Sequence, residues 1–135
     1  MTDLNNLDAG KPPIHLTDVD YDIIAGLALG IEKQRPDLSR MLLKEIDRAE
    51  LHEPGSLPAD AVTIGSEVEV LDTHTGITRR LRLVLPAEAD VDAGLVSILT
   101  PIGAGLIGLT SGQSIEWPYP NGETRALKIL SVTRP

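Results

Sequence analysis

The stretch Val96-Ser97-Ile98-Leu99-Thr100-Pro101-Ile102-Gly103-Ala104-Gly105-Leu106-Ile107-Gly108 changes character half-way along. Leu95 to Leu99 reads as a strand. Thr100-Pro101 then opens a short helical turn through Ile107, because proline suits the first helical position, where its missing amide would have had no partner anyway. The glycines that follow let such a helix approach a sheet closely. Toward the N-terminus, from Ala61, the period is two. Val68, Val70, Leu81, Leu83 and Leu85 alternate with Glu67, Glu69, Arg80 and Arg82 around Asp72-Thr73-His74-Thr75-Gly76. This pattern predicts a hairpin with one buried face and oppositely charged residues paired across the other. Toward the C-terminus, Gln113 to Trp117 and Thr124 to Val132 read as a last hairpin around Pro120-Asn121-Gly122.

Further upstream the period becomes helical. Thr17-Asp18-Val19-Asp20 has the form of a capping box. Val19, Ile23, Leu27 and Ile31, with Ile24 beside them, predict a helix ending near Arg35, because Pro36 disfavours helical geometry in the residue before it. Asp37 and Ser39 are candidate N-caps of a second helix running to about Leu51, with Leu38, Leu42 and Ile46 on its apolar face. Glu53-Pro54-Gly55 stops it. Two such helices joined by a few residues predict an antiparallel hairpin.

The expected fold class is α+β: an N-terminal antiparallel helical hairpin followed by an antiparallel β-sheet with a short packed helix. The expected division is a flexible tail over 1–13, the hairpin, a short coiled coil, over 14–53, a linker over 54–61 and a β-rich domain over 62–135.

Composition narrows the function. The chain has 135 residues, 20 acids against 12 bases, and no cysteine, so thiolate chemistry is excluded. A formal charge of −8 argues against free nucleic-acid binding, which needs several phosphates neutralised. Twelve of the acids lie in residues 1–60 with six bases, making an acidic N-terminal arm beside a nearly balanced β-rich half. The N-terminus lacks the basic flank and apolar run of a signal peptide, and the apolar stretch 94–109 is too short and broken to cross a membrane. A cytoplasmic protein is expected.

No catalytic constellation stands out. His15, His52 and His74 are far apart in sequence without ligand spacing, so they read as solvated side chains and no metal or other cofactor is expected. No serine sits in a Gly-x-Ser-x-Gly elbow. Gly103, Gly105 and Gly108 imitate a dinucleotide fingerprint in spacing but lack the long helix that must follow it. Glu32 and Asp37, at the tip between the helices, could hold Mg²⁺ with a phosphate; the simpler reading makes Asp37 a cap and Glu32 an exposed residue.

The segment Val96–Gly108, followed by Gly112-Gln113-Ser114-Ile115-Glu116-Trp117 and the Pro120-Asn121-Gly122 turn, resembles the C-terminal domain of the Gre transcript-cleavage factors. With the short helical hairpin and the link Leu57-Pro58-Ala59-Asp60-Ala61-Val62-Thr63, the chain from about Ile14 is similar to the Rnk branch, the regulators of nucleoside diphosphate kinase. The resemblance implies an FKBP-like domain that docks on RNA polymerase core enzyme at the rim of the secondary channel, through Thr100, Pro101, Ile102 and Gly103 with Leu106 nearby. Thr100 stands where Gre factors carry Ser, and Ala104-Gly105 replaces a basic residue and Ala. A helix over 18–35 would span roughly 27 Å, shorter than the hairpins that carry acidic tips to the polymerase's magnesium, so binding without transcript cleavage is the expected activity and the chain is not expected to be an enzyme. Two rivals are direct action on nucleoside diphosphate kinase and peptidyl-prolyl isomerisation. The latter needs an aromatic-lined pocket, and this chain has one Trp, two Tyr and no Phe.

Overall fold

A computed structural model describes residues 13–118 and 124–135. In chain order the elements are β1 (His15–Thr17), α1 (Asp18–Gly30), α2 (Pro36–Asp47), β2 (Glu50–His52), β3 (Glu67–Asp72), β4 (Thr78–Val84), β5 (Leu95–Ser97), α3 (Pro101–Leu106), β6 (Ser114–Pro118) and β7 (Thr124–Thr133). Two 3₁₀ turns, Pro86–Glu88 and Val91–Ala93, lie between β4 and β5. The fold is mixed α and β, as expected. Residues 1–12 of the expected tail and the Pro120-Asn121-Gly122 turn lie outside the described residues.

The main sheet has the order β5-β4-β3-β7-β6. Its charged ladder follows from the alternation: Glu67 faces Arg82, Glu69 faces Arg80 and Val68 faces Leu81 across β3 and β4. Arg80 lies 3.5 Å from Glu67 and 3.6 Å from Glu69, and Arg82 lies 3.7 Å from Glu67. These side chains are largely solvated, so the pairs add little stability and chiefly hold register. The sheet is mixed, whereas an antiparallel one was expected. β5 runs parallel to β4, with Arg82, Leu83 and Val84 opposite Leu95, Val96 and Ser97. The two 3₁₀ turns provide the connection that returns the chain to the same end of β4.

The first helix starts as expected, the second starts ahead of both of its expected caps, and both end early. Thr17 accepts from the Asp20 amide at 3.0 Å, capping α1. α1 stops at Gly30, with Ile31 as its C-cap, rather than near Arg35, and glycine is a poor residue with which to continue a helix. α2 begins at Pro36 with Arg35 in the cap position and no side-chain cap. Asp37 therefore lies in the first turn, where its charge meets the helix dipole, rather than capping it. Ser39 is buried inside α2 and donates to the Ala28 carbonyl of α1 at 2.6 Å, joining the two helices. α2 ends at Asp47 because residues 50–52 are taken by β2, which pairs in parallel with β1.

The inward face of α1 also differs from the simplest reading. Four-residue steps advance about 40° each on a helix, so Val19 and Ile31 cannot share one face. The buried residues are Ile24 and Ala28, with Tyr21, Ala25, Leu27 and Ile31 partly covered, while Val19 and Ile23 face outward at 53 % and 39 % exposure.

A single apolar cluster runs through the whole described chain. It joins Ile14, Leu16, Ile24, Ala28, Leu38, Leu42 and Ile46 to Val62, Val68, Val70, Leu83, Ile98, Leu106, Ile107, Leu109 and Ile129. The 54–61 segment is itself held down: Leu57 and Ala61 are buried, and Arg134 donates to the carbonyls of Leu57 and Pro58. Gly108 is the junction. Its amide donates to Val62, its carbonyl accepts from His15, and an added Cβ would lie 2.8 Å from that of Ile14.

Candidate functional site

Thr100 has two roles at the start of α3. Its hydroxyl donates to the Ser97 carbonyl at 2.7 Å and accepts from the Gly103 amide at 3.1 Å, so it closes the β5–α3 corner and caps the helix. Serine has the same oxygen, which explains how either residue can fill this position. Pro101 is exposed at the first helical position, and Ile102 is half-buried beside it. Gly103 faces the strand so closely that an added Cβ would lie 2.2 Å from the Ser97 carbonyl oxygen. That contact accounts for the glycine at position 103 without any nucleotide.

Gly103 and Leu106, both expected on the docking surface, are buried. They shape the corner from below and present no side chain to a partner. The surface available at this corner consists of Pro101 with the half-exposed Thr100 and Ile102. Leu38 and Leu42 of α2 belong to the same apolar cluster as Leu106, so the corner rests on the helices as well as on the sheet.

Glu32 and Asp37 are exposed on either side of the turn between α1 and α2. The Arg35 amide donates to the Ile31 carbonyl at 2.7 Å within this turn. At 13 residues α1 is about 20 Å long at 1.5 Å per residue, shorter than expected.

The sequence reading missed a group at the other end of the helices. The parallel β1–β2 ladder sets His15 opposite Glu50 and Thr17 opposite His52. His15 Nδ1 lies 3.0 Å from His52 Nε2 and 3.5 Å from Glu50 Oε2. Among the described residues this is the one place where three histidine or carboxylate donors converge, all within 4.8 Å. Glu50-x-His52 places both side chains on one face of an extended strand, which was the available signal. It was hidden because these residues read as the end of a helix.

Two carboxylates near the same region are perturbed in opposite directions. Burial raises the Asp20 pKa, partly offset by the Ile64 amide 3.4 Å away. The Ser111 hydroxyl, 2.6 Å from Asp60, lowers the Asp60 pKa. Among the described residues no helix is long and apolar enough to cross a membrane.

Residues 57–134 match the family described as transcription elongation factor GreA/GreB, C-terminal. The chain belongs to the GreA/GreB family. Among its relatives is the "Regulator of nucleoside diphosphate kinase" of Escherichia coli K12, 33 % identical over 129 residues that cover 96 % of this chain and 86 % of that protein. This GreA/GreB family chain is also 36 % identical over 91 residues to transcription elongation factor GreA of Syntrophobacter fumaroxidans, covering 67 % of this chain and 58 % of that one. The likeness to GreA thus spans somewhat over half of that protein's length. A solved "Prokaryotic transcription elongation factor GreA/GreB" from Nitrosomonas europaea superposes with a TM-score of 0.73 at 32 % identity, covering 91 % of this chain and 99 % of that one. The GreA/GreB likeness therefore includes the helices as well as the sheet. The chain is a Rnk/Gre-like member of the transcription factor family.

Proposed function

We propose that the chain binds RNA polymerase near the secondary channel through an FKBP-like C-terminal half, and that it does so without catalysing transcript cleavage. The observation that carries this reading is the β5–α3 corner. The family-matched segment contains a capped turn with Pro101 exposed beside Thr100 and Ile102, on a chain whose α1 is only 13 residues long. Thr100 and the buried Gly103 and Leu106 hold the corner in shape, so binding need not pay for ordering it. The short helices leave Glu32 and Asp37 at a tip that does not extend to a distant active site. In this reading the acidic helical half modulates access to the polymerase and the chain performs no chemistry of its own.

The test is co-migration with core polymerase on gel filtration, followed by cleavage assays on backtracked elongation complexes. The expected result is a complex at micromolar protein and no added cleavage. Pro101→Asp places a charge on an exposed position that tolerates an acid at a helix start, and it should weaken the complex at least ~10-fold, about 1.4 kcal/mol, with the thermal midpoint unchanged. Absence of a complex overturns the reading. Cleavage lost on replacing Glu32 and Asp37 overturns its non-catalytic part.

The name of the Escherichia coli relative favours a second reading, direct action on nucleoside diphosphate kinase. Kinase activity measured with the purified chain present separates the two. For the isomerase alternative the shape offers little support: among the described residues, depressions of about 200 and 400 Å³ are lined by charged, aliphatic, threonine, proline and glycine residues, with no aromatic among them.

A further inference from the structure

We propose that His15, Glu50 and His52 form a Zn²⁺ site at the root of the helical pair. This inference is independent of polymerase binding. Two imidazole nitrogens and a carboxylate oxygen are a donor set suited to zinc, with water completing the four positions. The distances fit. Two donors at ~2.0–2.1 Å from a tetrahedral ion stand about 3.4 Å apart, and the observed separations are 3.0 Å between the imidazole nitrogens and 3.5 Å from His15 to Glu50. The third donor pair falls within the same 4.8 Å envelope.

The backbone holds these side chains in place before any ion arrives. His15 and Glu50 are register partners in the β1–β2 ladder, and His52 is two residues beyond Glu50 on the same face. The Glu50 amide donates to the Ile14 carbonyl, and the His15 amide to Gly108. Both histidines are half-buried, while the Glu50 side chain is 68 % exposed, which leaves a route in from solvent. The arrangement joins the strand leading into α1 to the strand following α2. A bound ion would cross-link the two ends of the helical pair and add the stability of ligation to the folded state.

In the metal-free state one imidazole donates to the other, so the 3.0 Å contact alone does not require an ion. The experiment uses the untagged full chain titrated with Zn²⁺ by calorimetry, with thermal unfolding followed with and without Zn²⁺. One ion per chain, micromolar or tighter, and a raised midpoint reversed by chelator are expected. His52→Gln and His15→Gln should each lower affinity by about 100-fold, at or beyond the range seen for outer-shell partners, and Glu50→Gln by about 10-fold. His74→Gln, in the β3–β4 turn, should leave binding unchanged. Circular dichroism of each apo variant establishes that it is folded. Failure of the wild type to take up one Zn²⁺, or uptake unaltered in folded His15→Gln and His52→Gln variants, overturns the proposal.

Discussion

Asp20 and Asp60 show how one residue type responds to two surroundings. Asp20 loses solvent, which penalises its charged form and raises its pKa. Its protonated form is favoured by folding, so this contribution is present below the unfolded-state pKa and is lost as pH rises through the higher folded value. Asp60 accepts from Ser111, which favours its charged form and lowers its pKa. That contribution is present above the unfolded-state pKa and is lost as pH falls through the lower folded value. The two residues therefore oppose each other across the acidic range. Urea titrations between about pH 3 and 6 should show a steeper rise of stability with pH in Asp20→Asn than in wild type, and a shallower one in Ser111→Ala. Slopes equal to wild type in both variants would mean that neither contact survives in solution. Asp60 was invisible as a paired residue because Ser111 lies 51 positions away. Asp20 could be assigned to a capping sequence, but its burial could not be read from it.

At the scale of elements, α2 contributes most to joining the halves. Leu42 is fully buried in the cluster that includes Leu106 of α3 and Val68 of β3. Leu42→Ala should cost about 2–5 kcal/mol, measured by chemical denaturation. Leu29→Ala, on α1 at 58 % exposure, should change stability by less than about 0.5 kcal/mol. Similar losses in the two variants would contradict the inward face assigned here. The apolar period of α2 was legible, since Leu38, Leu42 and Ile46 are all buried. The face of α1 was not, because an apolar repeat every four residues winds round the helix and only packing selects the arc that is covered.

For the whole molecule, the continuous core is decisive. The helices and sheet bury their apolar residues against each other, so the helical pair is not a free-standing arm on a separate domain. Native-state hydrogen exchange should give amides in the middle of α2 and of β3 the same opening free energy, that of global unfolding. An α2 value lower by more than about 2 kcal/mol would show the pair opening as its own unit. This arrangement also bears on the proposed function: a perturbation at the root of the helices, including an ion at His15, Glu50 and His52, is applied to the same packed body that carries the Pro101 corner.

What the sequence determined by itself is local. Thr17 with Asp20, Thr100 with Pro101 and Gly103, and the alternation of Glu67 and Glu69 against Arg80 and Arg82 depend on neighbours a few residues away or across one tight turn, so the starts of α1 and α3 and the charged ladder could be read directly, whereas the start of α2 could not. The match of Val96–Gly108 to a family pattern rests on the same kind of compact signal. Only the tertiary structure decided the parallel pairings of β1 with β2 and of β5 with β4, which arcs of α1 are covered, and that Gly103 and Leu106 face inward. Strands of three residues are too short to show a period, and parallel partners are separated by intervening elements. Their pairing is selected by the burial and hydrogen bonding of the completed fold, and that selection is what brings two histidines 37 residues apart to a 3.0 Å contact.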